Sequence, residues 1–371
     1  MEQKSFADIF EDVTKQAVKI QKKDYLPTGR YPIIDQGQEW CAGYTDREDA
    51  LFQDVPAYIF GDHTRIIKYT DEPFYLGADG VKLLKLREGI QANPRFFYYA
   101  LKSQRIPDTG YNRHFKWLKE SLYHVPTLNE QTHIADTLDT LSTLITLCKT
   151  KIFLFDELVK SRFIEMFGDP VTNPMGWEVK RLKDICAVGS SKRIYQREQT
   201  STGVPFLRIS DLVTRITSQE ETFDLYISEK KFNEFEQQAL VPKTGDILVT
   251  ARGTLGLCYI IKPEDRFYFQ DGMISWVHAS EADINSVYIS YLFGSQGIKR
   301  QIDRIVAGST VSYLSIAQLG QLDILLPSLA LQNEFAAFAQ QADKSKLVLH
   351  QLLEKQQTLK AALIQEYFAV H

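Results

Sequence analysis

Apolar positions recur along residues 134–159 with the period of a packed helix. Ile134, Leu138, Leu141, Ile145, Cys148, Ile152, Phe155 and Val159 alternate steps of four and three, an unbroken a/d heptad seam. Thr127-Leu128-Asn129-Glu130 supplies a capping box before the seam, and Gly168 followed by Pro170 ends it. The spacing predicts one helix over 129–167, ~60 Å long at about 1.5 Å per residue. A second seam, Phe335, Phe338, Ala342, Leu349, Leu352, Leu359 and Leu363, predicts another helix over about 330–368, interrupted at Ser345 and Gln356. Segments 55–60, 66–69, 246–250 and 257–261 are β-branched or apolar runs bounded by Gly and Pro, and they predict strands. Short helices are expected around 94–103 and 287–295.

These elements occur twice. At an offset of 192, Asp54 meets Asp246, Gly61 meets Gly253, Asp79-Gly80 meets Asp271-Gly272, Asn93 meets Asn285, Tyr99 meets Tyr291, and Ser103-Gln104 meets Ser295-Gln296. At 201, Pro126 meets Pro327, Gln131 meets Gln332, Ala135 meets Ala336, Leu158 meets Leu359 and Phe167 meets Phe368. A weaker match, Asp8-Ile9 with Asp184-Ile185, lies at 176. Two registers held over this length indicate a duplication, with a nine-residue difference in the loop before the proline. Ordinary core packing would also produce a heptad seam, but the duplication favours two equivalent helices that pair, and the connectivity makes them antiparallel. The expected fold is α+β: two similar mixed α/β domains separated by a long antiparallel coiled coil, related by an internal pseudo-twofold repeat. The expected boundaries are 1–125 and 177–326 for the domains, 126–167 and 327–371 for the helices, and 168–176 for a linker.

Composition narrows the function. The chain is 44% hydrophobic and 24% charged, ordinary for a globular protein. It has no apolar run of membrane-spanning length. Residues 1–6 lack a secretory n-region and h-region, and Cys41, Cys148, Cys186 and Cys258 are scattered, so a cytoplasmic protein without a zinc site is expected. The net charge of −4 weighs against nucleic acid, yet residues 180–215 carry eight Lys/Arg against three Asp/Glu, and 95–120 six against two. Such stretches can neutralise phosphates locally because screening limits the reach of distant charge. No catalytic constellation emerges. Residues 78–82 lack the frame of a phosphate loop, and Asn173-Pro174 stands without a methyl-donor loop. Asp169 with Glu178 and Lys180 lies in the linker. Gly61-Asp62-His63-Thr64-Arg65 groups titratable residues in a turn, but its repeat counterpart, Gly253-Thr254-Leu255-Gly256-Leu257, has none.

Several segments carry a resemblance: Phe167-Gly168-Asp169-Pro170 leading to Gly176-Trp177-Glu178, Pro205-Phe206-Leu207-Arg208, Gly245-Asp246-Ile247-Leu248, Gly308-Ser309-Thr310 and Leu326-Pro327-Ser328-Leu329. In the first half they are Tyr31-Pro32-Ile33-Ile34, Gly61-Asp62-His63 and Arg113-His114-Phe115-Lys116-Trp117. In order, they resemble the DNA-specificity subunits of type I restriction–modification systems over essentially the whole chain. The resemblance implies a non-catalytic role: two target recognition domains each read one part of a split double-stranded DNA target, held apart by the helices. Two methylation subunits would bring the methyl donor and restriction subunits the ATP-driven translocation and cleavage, leaving this chain without a cofactor. Two departures stand out. The usual tryptophan opening is missing before Phe6, and Glu130 of the first capping box becomes Leu331 in the second copy.

Base-edge and phosphate contacts call for Lys/Arg and small polar residues on loops. The candidates are Gln36, Gln38, His63, Arg65, Tyr111, Arg113, His114 and Lys116 in the first domain. In the second they are Lys192, Arg193, Arg197, Arg208, Arg252, Thr254, Ser309 and Thr310. Arg65 and Arg208 could instead form structural salt bridges. Phe115 and Trp117 are expected in a core, with Arg113 and Lys116 pointing outward. The rival readings are a stand-alone, dyad-reading DNA-binding regulator and an enzyme with an unfamiliar site.

Overall fold

The computed structural model describes residues 2–77, 80–110, 112–217, 223–307 and 312–368. The chain divides into two units, residues 1–150 with 350–371, and residues 151–349.

In the first unit the chain runs β1 (Glu2–Ser5), α1 (Phe6–Ile9), β2 (Phe10–Asp12), β3 (Lys19–Ile20), β4 (Tyr31–Ile34), β5 (Gly43–Thr45), β6 (Ala57–Gly61), β7 (Ile67–Thr70), β8 (Tyr75–Gly77) and β9 (Val81–Leu86). It continues through α2 (Pro94–Lys102), α3 (Phe115–Lys119) and β10 (Leu122–Val125) into α4 (Leu128–Phe167). The central sheet, β2-β9-β6-β7, is antiparallel; a second sheet has the order β3-β8-β4-β5, and β1 pairs with β10. Strand β6 is buried at every position because both its faces are covered. Tyr58 and Phe60 face α1, α2 and Leu138 of α4, while Ala57 and Ile59 face Ile34, Phe74 and Leu76 of the second sheet side.

The second unit repeats this plan. Its elements are β11 (Glu178–Arg181), α5 (Leu182–Ile185), β12 (Val188–Gly189), β13 (Gln199–Thr200), β14 (Val204–Leu207), α6 (Ile209–Thr217), β15 (Tyr226–Ile227) and α7 (Glu229–Gln237). Then follow β16 (Ile247–Thr250), β17 (Cys258–Ile260), β18 (Tyr268–Phe269), β19 (Ile274–Val277), α8 (Ser286–Gly294), α9 (Gln296–Val306), α10 (Ile316–Gly320), β20 (Asp323–Leu326) and α11 (Leu329–Phe368). The sheet order β12-β19-β16-β17 and the pairing of β11 with β20 repeat those of the first unit. In the second sheet, β13-β15-β14-β18, the run β15-β14-β18 repeats β5-β4-β8, but β13 adds beside β15 where β3 adds beside β8. The expected α+β class, with two similar mixed domains and two long antiparallel helices, is the architecture observed.

The offset of 176 places β1 on β11 and α1 on α5 residue for residue, so the opening strand missing its tryptophan is nevertheless formed. The other two offsets reappear as side-chain contacts. Asn93 caps α2 and Asn285 caps α8. Gln131 accepts the Asn93 N–H at 2.9 Å and donates to the Pro126 carbonyl at 2.9 Å. Gln332 accepts the Asn285 N–H at 2.9 Å and donates to the Pro327 carbonyl at 2.8 Å. Both glutamines are buried, so each latch satisfies groups that would otherwise be orphaned. The gapless register fails between the strands, however. Asp62 N donates to the Gly80 carbonyl while its own carbonyl accepts from His114; Ala251 does the same with Met273 and Leu314. The equivalent of Asp62 is therefore Ala251, not Thr254.

Helix α4 forms with the expected seam inward, and its reciprocal capping box is intact. In α11 the expected seam is wrong at two of its seven positions. Leu352 is 43% and Leu359 50% exposed, whereas Phe335, Ala339, Ala342, Lys346, Leu349, Leu353, Gln356, Lys360 and Leu363 are buried or half-buried. This seam too steps by four and three, but polar partners hold part of it. In the first unit Gln356 accepts from the Cys148 thiol at 3.5 Å and Lys360 donates to Ser142. In the second unit Lys346 bonds Asp156 at 2.8 Å. Although Leu331 replaces the capping glutamate, α11 begins at Leu329, where Ser328 accepts the Leu331 N–H and Gln332 ties back to Pro327.

Candidate nucleic-acid interface

In the first unit, candidates from three separate segments meet at one end of the central sheet. The Gln36 side chain accepts from His63 N at 3.4 Å, the Thr64 hydroxyl donates to the Gln36 carbonyl at 2.8 Å, and His63 Nδ1 lies 3.2 Å from the Asn112 carbonyl. Gly80 lets these approach: at φ +78°, a Cβ there would stand 2.7 Å from the His63 ring and 2.8 Å from the Gln36 amide. Arg65, itself at φ +62°, pairs with Asp108 at 2.7 Å. Arg113 is exposed, with no ion-pair partner among the described residues, and Lys116 is exposed with its ammonium 4.1 Å from the Trp117 ring. Phe115 is buried as expected.

His114 is a correction. It is 1% exposed, and its Nδ1 lies 3.0 Å from the Asp62 carbonyl, while the Asp62 carboxylate accepts Phe115 N at 2.7 Å. It holds the loop rather than meeting a ligand. Tyr111 in this unit, and Ser309 and Thr310 in the other, lie outside the described residues.

Gln38 and Arg65 also line a cleft of about 1030 Å³ along the edge of β7, with Trp40, Lys68, Tyr98 and Lys102. The Trp40 indole donates to the Tyr69 carbonyl at 3.0 Å, covering an edge-strand acceptor. Lys68 is nearly buried and donates to the Glu39 carbonyl, fixing the loop that carries Gln36 and Gln38. Burial pushes its ammonium below the ordinary lysine range against the pull of Asp35.

The second unit assembles its candidates at the equivalent end. Arg252 and Thr254 are exposed on the β16–β17 loop, and Arg252 bridges to Tyr313, its guanidinium 5.7 Å from the ring. Arg193 pairs with Asp271 at 3.0 Å in the turn before β19, and Ser190 accepts Gly272 N at 3.2 Å. Lys192 and Arg197 are exposed on the same segment, Arg197 lying 5.5 Å from the Tyr195 ring. Arg208 takes the salt-bridge alternative: it bonds Asp211 at 3.1 Å and Asp224 at 2.6 Å, which raises its pKa.

Cations and aromatics outside the candidate set share these surfaces. Trp40 and Lys102 are one group; no local pattern marks them, because the cleft joins separate segments. Lys299, Arg300 and Arg304 are another, on α9, which fills what the sequence presents as a longer loop. Their signal was available in Ile298, Ile302 and Ile305 at helical spacing with cations between. Among the described residues no cluster of three His, Cys, Asp or Glu could hold a metal ion, and no helix is long and apolar enough to cross a membrane.

The sequence model of a family described as the type I restriction modification DNA specificity domain matches residues 1–153 and again 174–361. A putative type I restriction enzyme specificity subunit of Haemophilus influenzae is 28% identical over 256 residues, 66% of this chain and 63% of the relative. The MjaIX specificity subunit of Methanocaldococcus jannaschii is 25% identical over 243 residues, 60% of this chain and 54% of the relative. The matches thus span less than two thirds of both relatives' lengths. A crystal structure of a type I restriction–modification S subunit from M. genitalium shares the fold with a TM-score of 0.67 at 17% identity, covering 100% of this chain and 96% of that one. A structure concerned with complex assembly and conformational transition of the type I system shares it at a TM-score of 0.54 and 15% identity, covering 99% and 97%.

Proposed function

This chain belongs to the type I restriction modification DNA specificity family, and we propose that it is the non-catalytic, sequence-reading subunit of a type I complex acting in the cytoplasm. Each unit reads one part of a split duplex target, and α4 and α11 set the gap between the parts. The observation that carries this is a duplicated frame with divergent loops. Matching latches, Asn93–Gln131 and Asn285–Gln332, hold units whose equivalent loops present His63, Thr64 and Arg65 in one and Arg252, Gly253 and Thr254 in the other. Shared catalysis would keep one constellation in both; reading two sequences needs two different ones.

The partners are double-stranded DNA, two methylation subunits that carry the methyl donor, and restriction subunits that use ATP. The helices offer apolar seats for the methylation subunits: Leu154, Leu158 and Val348 line a groove in the second unit, and Leu144, Leu147, Leu352 and Leu359 are exposed in the first. Nothing favours the stand-alone regulator. The test is methylome sequencing of a host carrying the chain with its partners, before and after residues 20–120 are exchanged for those of another such subunit. A split motif of which one half changes is expected; change in both halves, or no methylation with any partner set, overturns the reading.

A further inference from the structure

Among the described residues helix α9 has no counterpart in the first unit, where no second helix lies between α2 and α3. Its inner face is fixed at three points. Gly297 lies against Pro170, whose Cβ is 3.0 Å from where a Gly297 Cβ would stand. Ile298 and Ile302 are buried in the core. The Gln301 amide pairs both ways with the Asp323 backbone, at 3.1 and 2.8 Å. Ile302 also supports the β16–β17 loop: its Cδ1 is 2.8 Å from where a Cβ of Gly256 would stand. Past the end of α9 the chain returns to Tyr313 and Leu314, which pair with Arg252 and Ala251. The helix is therefore a firm platform beside the loop that carries Arg252 and Thr254.

Its outer face carries Lys299, Arg300 and Arg304 with one carboxylate, Asp303; all four are exposed, and no ion pair joins them to each other or to other described residues. Elsewhere in the unit two of the four candidate arginines are ion-paired, Arg193 with Asp271 and Arg208 with two aspartates, while Arg197 and Arg252 are exposed. Cations in net excess on a packed helix, without ion-pair partners among the described residues, suit phosphate oxygens, and phosphate contacts fix register without reading sequence.

We propose that α9 is a backbone clamp of the second unit, with Lys299, Arg300 and Arg304 gripping phosphates beside the bases read from the β16–β17 loop. The clamp rests on the DNA-reading role proposed above and adds which element grips, and that the first unit has no such helix among its described residues. The test compares Lys299→Ala/Arg300→Ala/Arg304→Ala with Arg252→Ala in the full complex, on a duplex carrying the motif returned by the methylome and on one of mixed sequence. The expected result is weakening on both duplexes, with the slope of log K against log salt reduced by about 2 to 3, at ~0.9 per phosphate contact. The methylated motif and the melting temperature should not change. An unchanged slope while Arg252→Ala alters binding or motif overturns the clamp and leaves the reading standing. An altered motif in the triple variant overturns the assignment to phosphates. If neither variant affects DNA binding, the reading itself fails and the clamp with it.

Discussion

The same junction, recognition-domain helix against long helix, centres on an ion pair beside one ring contact, Phe96 on Phe368, in one unit and on a cluster of aromatic rings in the other. In the first, Arg95 of α2 forks onto Asp139 of α4, with Nε 2.9 Å from Oδ2, and lies over the rings of Tyr69, Tyr98 and Tyr99. The Tyr99 hydroxyl donates to Asp139 at 2.6 Å. In the second, Tyr288 and Tyr291 of α8 meet Phe163, Phe167 and Phe335, with ring centroids 4.7 to 6.4 Å apart. What the two share is the Asn–Gln latch. The latch sets where the helices meet, and any adhesive compatible with that placement serves around it. The difference should show in how each unit responds to truncation, acid and charge removal.

Phe335→Ala should have the largest effect. Phe335 is fully buried among three rings, so its loss should cost ~3–5 kcal/mol. The cost should fall on the second unit. In a denaturant titration followed by hydrogen exchange, protection of α8 and residues 329–349 should drop while that of α2 holds. Equal loss in both units would show that the junctions do not stabilise their own units separately.

Arg95→Ala or Asp139→Asn should come next, at about 1–3 kcal/mol, kept to the low end because both side chains are about one-third exposed and solvent-screened. Burial alone would raise the Asp139 carboxyl, but hydrogen bonds from Arg95 and Tyr99 hold it below its ordinary value of 3.8. Stabilisation from such a group is full above 3.8 and is lost as pH falls through the lower folded value. The first unit should therefore lose exchange protection on acidification below about pH 4, and Asp139→Asn should flatten that dependence. An unaltered acid profile in the variant would remove Asp139 from the account.

These junctions also mark what the sequence made legible. The α4 seam was readable because Ile134 to Val159 are apolar at every a/d step. The α11 seam was hidden because Lys346, Gln356 and Lys360 occupy inward steps, while Leu352 and Leu359, which look like seam residues, face out. Asn93, Asn285, Gln131 and Gln332 stood out as repeat matches, but their bond to one another could not be inferred from spacing. In the site, the loop ends of both units were legible from their polar and basic residues. His114 was misjudged because burial depends on Asp62, 52 residues away. Helix α9 escaped because a length difference reads as a longer loop.

The smallest effect separates two half-buried lysines on the seam of α11. Burial pushes the Lys360 ammonium down, and Lys102 and Arg95 add repulsion that Asp139 offsets in part. Burial pushes Lys346 down as well, but hydrogen bonds to Asp156 and Asp343 reverse it and hold the ammonium above its ordinary value. The charged form is thus disfavoured in the first unit and favoured in the second. Lys360→Met should leave the first unit within ~1 kcal/mol of wild type or raise its stability, since replacing a poorly compensated buried charge by an apolar chain is often neutral or better. Lys346→Met should lower the second unit by about 1 kcal/mol, because the two aspartates lose their counter-ion but keep solvent. The alkaline limbs should differ in sign too. Stabilisation from Lys346 is intact below 10.5 and lost above it. The first unit should gain as pH climbs towards 10.5 and Lys360 sheds its proton. Exchange protection of α2 and α8 in the two variants, followed between neutral and alkaline pH, measures both; a loss from Lys360→Met equal to that from Lys346→Met would show that the two seams hold their lysines alike.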